Sequence, residues 1–108
     1  MDKKVKRAID EFVNGARKLE VEKIVLYGSA AKDEYVPTES DIDLLIVAKK
    51  PKKIYDKLLD VQSDVSLKYA TVFSVIIKTF NEFQNDLAMG SQFIENVIKE
   101  GELLYGEA

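Results

Sequence analysis

A chain of 108 residues, 46% hydrophobic and 32% charged, has the length and balance of one globular domain spanning 1–108. Its net charge of -3 gives no strong nucleic-acid signal, since general affinity rests on many Lys and Arg phosphate contacts; a single nucleotide needs only a local field. The absence of Cys and His excludes disulfides, thiolate or imidazole metal ligands and Ser-His or Cys-His nucleophiles, leaving carboxylates, Lys, Arg, Ser, Thr and Tyr, an inventory suited to metal-assisted transfer.

Val5, Ala8, Ile9, Phe12, Val13, Ala16 and Leu19 follow helical spacing and predict an amphipathic helix over about 3–19. Gly15 within it costs about 1 kcal/mol against Ala. Residues 22–27 read as a short strand that ends at the pair Gly28, Ser29, after which 30–34 predict a short helix and 35–40 a loop anchored by Pro37. Residues 41–48 predict a second strand, apolar on both faces through Leu44, Leu45, Ile46 and Val47. Pro51 opens a helix carrying Ile54, Leu58, Val61 and Val65, which runs to about Lys68. The β-branched and aromatic residues of 71–77 predict a third strand.

Residues 79–86 are polar, with Phe80 and Phe83 as local anchors. A last helix is expected over 87–99, with Phe93, Ile94, Val97 and Ile98 as its core face and Gly101 as its cap. Leu103, Leu104 and Tyr105 form a brief terminal strand or a segment lying on the core. The fold class is therefore α/β or α+β, a small mixed sheet with helices mainly on one face. No apolar run approaches the roughly 18 residues of a membrane span, and the first residues lack the apolar region of a signal peptide. The expected location is the cytoplasm.

The chemistry concentrates at two places. Gly28 and Ser29 form a turn whose backbone amides and hydroxyl suit phosphate. After a gap of eleven residues, Asp41 and Asp43 stand one residue apart at the start of a strand and face the same way. Like charges so placed are relieved by a proton or a cation, and paired carboxylates favour a hard divalent ion. Taken alone, the same residues also read as a strand-start cap, a solvated carboxylate and a plain strand-to-helix turn. Lys32 reads equally as a surface lysine or a phosphate ligand, and Tyr27 and Tyr35 as packing residues or base-stacking ones. The basic run Lys49, Lys50, Lys52 and Lys53 reads as a solvated junction or as an acidic-partner contact.

Gly28 and Ser29, the eleven-residue gap, and Asp41, Ile42, Asp43 and Leu44 together resemble the signature of the nucleotidyltransferase fold of the DNA polymerase beta superfamily. With its shortness and its ending at Leu103, Leu104 and Tyr105, the chain looks most like the minimal nucleotidyltransferases, whose module recurs in kanamycin nucleotidyltransferase and in antitoxins paired with HEPN-domain toxins. The resemblance covers nearly the whole chain. It implies transfer of a nucleoside monophosphate, AMP from ATP, to an acceptor hydroxyl. Asp41 and Asp43 would hold Mg²⁺, Gly28, Ser29 and Lys32 would hold the triphosphate, and Ser40 would fix the approach to Asp41 by a local bond. The acceptor would be a HEPN-type partner protein or lie at a homo-oligomer interface.

The chain departs from the family pattern in three ways. Lys32 replaces a common Arg, Asp33 replaces a common Gly, and the gap is one residue longer than the usual ten. A further departure concerns chemistry: active members add a carboxylate from the next strand, and 71–77 contains no acid. Asp64 and Glu82 are the nearest candidates in sequence. The alternative reading is a catalytically weak or silent antitoxin-type module that masks a HEPN-type partner.

Overall fold

The computed structural model describes residues 2–37 and 39–107; Thr38, within the expected loop, lies outside them. The first helix, α1, runs Lys3–Ala16, with Asp2 as its N-cap accepting from the Lys4 N–H at 2.7 Å. It ends three residues before the predicted point. The Leu19 N–H closes a tight turn onto the Ala16 carbonyl, which brings Leu19 against the core from outside the helix. Gly15 has a packing reason: a Cβ there would come within 2.8 Å of Val61 Cγ1 on the second helix.

Strands β1 (Val21–Tyr27) and β2 (Ile42–Ala48) pair antiparallel. Helix α2 (Pro51–Tyr69) starts on Pro51 and ends on Ala70 in the left-handed region, φ 50°. It then returns the chain to β3 (Phe73–Lys78), parallel to β2, as a crossover connection requires. The polar stretch after β3 is a helix, α3 (Phe80–Ala88). Thr79 Oγ1 accepts from the Glu82 N–H at 3.1 Å while the Thr79 N–H donates to Glu82 Oε1 at 2.9 Å, a reciprocal cap that starts it. The expected helix over 87–99 is thus broken at Gly90, φ 78°, and restarts as α4 (Gln92–Glu100) behind the Ser91 cap. Strand β4 (Glu102–Tyr105) pairs antiparallel with β1.

The sheet order is β3-β2-β1-β4. Alternation along each strand divides its side chains between two faces. Ile24, Leu26, Leu44, Ile46 and Phe73 join Val5, Ile9, Phe12, Ile54 and Leu58 of α1 and α2 in the main core. On the other face a smaller set, Leu45, Val47, Ile94 and Val97, is buried, with Val25, Tyr27, Ile76, Phe83 and Leu87 around it. The expectation of helices mainly on one face describes the two long helices and the larger core. The short helices α3 and α4 occupy the opposite face.

Candidate functional site

Antiparallel pairing sets the end of β1 beside the start of β2, so Tyr27 stands opposite Asp43. Parallel pairing sets Asp43 beside Ser74 of β3. Tyr27, Asp43 and Ser74 therefore form one row across three strands. Asp43 shares its strand face with Leu45, the face covered by α3 and α4. Asp41 lies just before the strand, where the Ile42 N–H donates to the Val72 carbonyl at 2.8 Å and ties the entry of β2 to that of β3.

Gly28 follows directly with φ 71°, and a Cβ on it would overlap Asp43 Oδ2. The carboxylate thus rests on the glycine, and both the backbone angle and this contact require the missing side chain. The predicted helix over 30–34 is a single turn instead. The Lys32 N–H reaches the Gly28 carbonyl at 3.3 Å, and the Glu34 N–H reaches the Ser29 carbonyl at 2.8 Å around Asp33 in the left-handed region, φ 60°. That six-to-one bond over a left-handed residue ends a helix as soon as it begins. It also gives Asp33 a backbone reason to stand where Gly is common, since Asp tolerates this conformation. Buried Ala30 pins the turn to the main core.

The two carboxylates interact. Burial, and then the charge of Asp41, push the Asp43 carboxyl above the usual range. Burial, then Asp43, raise the Tyr27 phenol, and burial, then Asp41 and Asp2, raise that of Tyr35. Neither Asp41 nor Asp43 forms an ion pair among the described residues. Hard oxygen donors, mutual repulsion with no cationic side chain between them, and a glycine cradle under one carboxylate all fit a divalent cation.

Ser40 serves its own loop. Its hydroxyl accepts from the Val36 N–H at 3.0 Å and its N–H donates to the Val36 carbonyl at 2.8 Å, tying Ser40 to Val36 ahead of Asp41. The expected local side-chain bond is present, directed at Val36. Lys32 is ion-paired with Glu100 at 2.8 Å, and this partner raises its pKa. The pair spans a cleft of ≈ 170 Å³ lined by Tyr27, Gly28, Lys32, Phe93, Asn96, Val97 and Glu100.

Helix α4 thus forms the far wall of the cleft, and sequence reasoning missed its part. Of the four residues expected in the core there, Ile94 and Val97 are buried. Phe93 lies against Tyr27 edge to face at 5.3 Å, and Ile98 is 53% exposed. The signal available was spacing: Phe93, Asn96, Val97 and Glu100 fall on one helical face. Gly28 and Tyr27 connect the cleft to Asp43, which does not itself line it, and two larger grooves contain neither Asp41 nor Asp43. One, of ≈ 350 Å³, lies between α2 and β3; the other, of ≈ 360 Å³, lies beside α3 and α4.

Neither candidate for a third carboxylate reaches the pair. Asp64 is exposed on α2, a helix packed on the opposite sheet face. Glu82 is held by Thr79 beyond the far end of β3, about 16 Å along the strand direction from Ser74. Among the described residues no group of three or more acidic, His or Cys side chains comes together to hold a metal.

Residues 4–104 match the family model of the nucleotidyltransferase domain. No curated protein matches the chain. The crystal structure of a toxin-antitoxin with AMP-PNP superposes with a TM-score of 0.61 at 15% identity, covering 91% of this chain and 73% of that one. That likeness is one of fold. The crystal structure of a candidate nucleotidyltransferase from Sulfolobus solfataricus gives a TM-score of 0.46 at 20% identity, covering 97% and 79%. With a Gly-Ser turn, an Asp-x-Asp strand and a family match over nearly its whole length, the chain belongs to the nucleotidyltransferase domain family.

Proposed function

We propose that this protein transfers a nucleoside monophosphate, AMP from ATP, to an acceptor hydroxyl in an Mg²⁺-dependent reaction that releases pyrophosphate. The observation that carries the reading is the interacting pair formed by Asp41, just before β2, and Asp43 within it, with Asp43 seated on Gly28 of the adjoining turn. Asp41 and Asp43 would hold the cation, which when bound supplies charge neutralisation and polarises the phosphoryl group. Gly28 and Ser29 would present the turn to the β and γ phosphates. Lys32 would reach phosphate as a point charge after leaving Glu100. Tyr27 and Phe93 offer an apolar wall in the same cleft. Ser40 holds the loop that delivers Asp41.

The acceptor is proposed to be a partner protein of the HEPN toxin type, or a group at an interface between copies of this chain. That a fold neighbour is a toxin-antitoxin with AMP-PNP supports both the nucleotide and the partner. Among the described residues no helix is long and apolar enough to cross a membrane, and a cytoplasmic location, where ATP is available, suits the reaction.

The deciding measurement is calorimetry of ATP binding with and without Mg²⁺. The expected result is binding that requires Mg²⁺ and disappears in the Asp41→Ala/Asp43→Ala variant. Equal, undetectable heats in both proteins would sink the metal-nucleotide claim. A second reading is favoured by one observation, the lack of a third acid beside the pair: the domain acts as an antitoxin that masks its partner with little or no catalysis. Labelled ATP, Mg²⁺ and the product of the neighbouring gene separate the two. Label transferred in an Asp43-dependent way supports the enzyme, and a tight complex without label supports the mask.

A further inference from the structure

We infer that this chain provides for one divalent cation and that Ser74 sets the count. The inference rests on the metal-nucleotide reading above and adds to it. The start of β2 presents two carboxylates, and a third place beside them is defined by strand register. Because β2 and β3 run parallel with Asp43 level with Ser74, the residue at 74 is the lateral neighbour of the inner carboxylate. Paired parallel positions project to the same face, so Ser74 looks out beside Asp43 toward α3 and α4. The opposite neighbour of Asp43 is Tyr27, and the residue beneath it is Gly28. Apart from Asp41 itself, the residues that register and the turn set beside and beneath Asp43 are therefore neutral.

Charge balance follows from that arrangement. Two carboxylates match one doubly charged ion. A second such ion, at the roughly 4 Å spacing of paired metal sites, would meet a neutral hydroxyl at 74 in place of a further protein carboxylate, leaving the nucleotide's phosphates alone to offset the repulsion between cations. Of the two acids nearest in sequence, Asp64 lies across the sheet and Glu82 is capped at the far end of β3. Glu100 belongs to α4 across the cleft, outside the strand row of Tyr27, Asp43 and Ser74. The nucleotide can bring one ion to Asp41 and Asp43, and among the described residues no third acidic side chain joins them to hold another.

The test is a Mn²⁺ titration of the full chain with AMP-PNP, followed by electron paramagnetic resonance, which separates an isolated ion from a spin-coupled pair. The wild-type complex is expected to hold one isolated ion whose spectrum differs from that of Mn²⁺ on free AMP-PNP. Ser74→Ala is expected to keep that spectrum. Ser74→Asp or the longer Ser74→Glu is expected to add a second ion, seen as a coupled pair, with thermal melting used to confirm that each variant is folded. A coupled pair in the wild type overturns the inference without recourse to any variant. Isolated ions in both folded acidic variants overturn it equally. If the wild-type spectrum is that of free Mn²⁺-AMP-PNP, the metal-nucleotide reading fails and this inference with it, an outcome distinct from a wild type that binds one ion while the variants do nothing new.

Discussion

The two faces of the sheet do different work. The α1 and α2 face carries a continuous core in which Phe12 stacks on Phe73 at 4.9 Å and Ile24, Ile42, Leu44 and Ile46 are completely buried. The α3 and α4 face buries a smaller set, Leu45, Val47, Ile94 and Val97, and on it stand Asp43, Tyr27 and the cleft closed by Lys32 and Glu100. The difference is instructive because a carboxylate pair is costly in a dry core but tolerable where packing is thin and water or a cation can reach it. In this domain, one face holds the fold together and frees the other to carry charge.

The largest expected effect breaks the first face. Phe12→Ala should cost about 3–5 kcal/mol of unfolding free energy in urea titration, while Leu87→Ala, only partly buried on the other face, should cost about 1 kcal/mol. Equal costs would remove the contrast between the faces.

Gly28→Ala acts at the seam. The left-handed backbone at 28 and the overlap with Asp43 should lower stability by about 1–3 kcal/mol and abolish Mg²⁺-dependent ATP binding. Adding Asp43→Ala should recover part of the stability and none of the binding, a coupling readable in a double-mutant cycle.

The charged face has its own pH signature. Asp43 has a folded-state pKa raised by burial and by Asp41, so the native state binds the proton more tightly than the unfolded chain. Its contribution favours folding at low pH and is lost as pH rises from the ordinary carboxylate value through the raised one. Glu11 and Glu82, whose pKa values are lowered, oppose this trend in the whole protein. The comparison is therefore wild type minus Asp43→Asn. The variant should be slightly more stable at neutral pH, by well under 1 kcal/mol given the exposure of the site, with the difference vanishing in acid.

The smallest effect concerns Glu100→Gln. Releasing Lys32 from a pair whose side chains are 43% and 41% exposed should tighten ATP binding about two- to fivefold in calorimetry, the scale of a surface ion pair. Weaker binding would assign Glu100 a positive role in the cleft.

Much of this was legible in the residues. The apolar spacing of Val5, Ala8, Ile9 and Phe12 and of Ile54, Leu58 and Val65 gave α1 and α2 their buried faces, because helical periodicity is local. The apolar run after Asp43 marked a central strand. The capping pair Thr79 and Glu82 was present in the sequence as a Ser/Thr-x-x-Glu pattern and identifies α3 when read as such. The turn at 30–34 was less legible, since four residues with helical preference say little about a backbone committed at Asp33 to a left-handed angle. Phe93 illustrates the limit of the apolar stripe: four apolar residues on α4 look alike in sequence, yet two are buried, one lines the cleft and one faces solvent.

The residues by themselves determined that a Gly-Ser turn precedes a strand start carrying Asp43, with Asp41 two residues ahead of it; the strand itself begins at Ile42, so alternation places Asp43 on a sheet face and leaves Asp41 at its entry. Only the tertiary structure decided what surrounds them. Register between β1, β2 and β3 set Asp43 between Tyr27 and Ser74. Packing from the far end of the chain brought Phe93 and Glu100 to the cleft. Such neighbours depend on which long-range pairings bury the most apolar surface while satisfying the backbone, a condition on the whole chain that no local stretch of it contains.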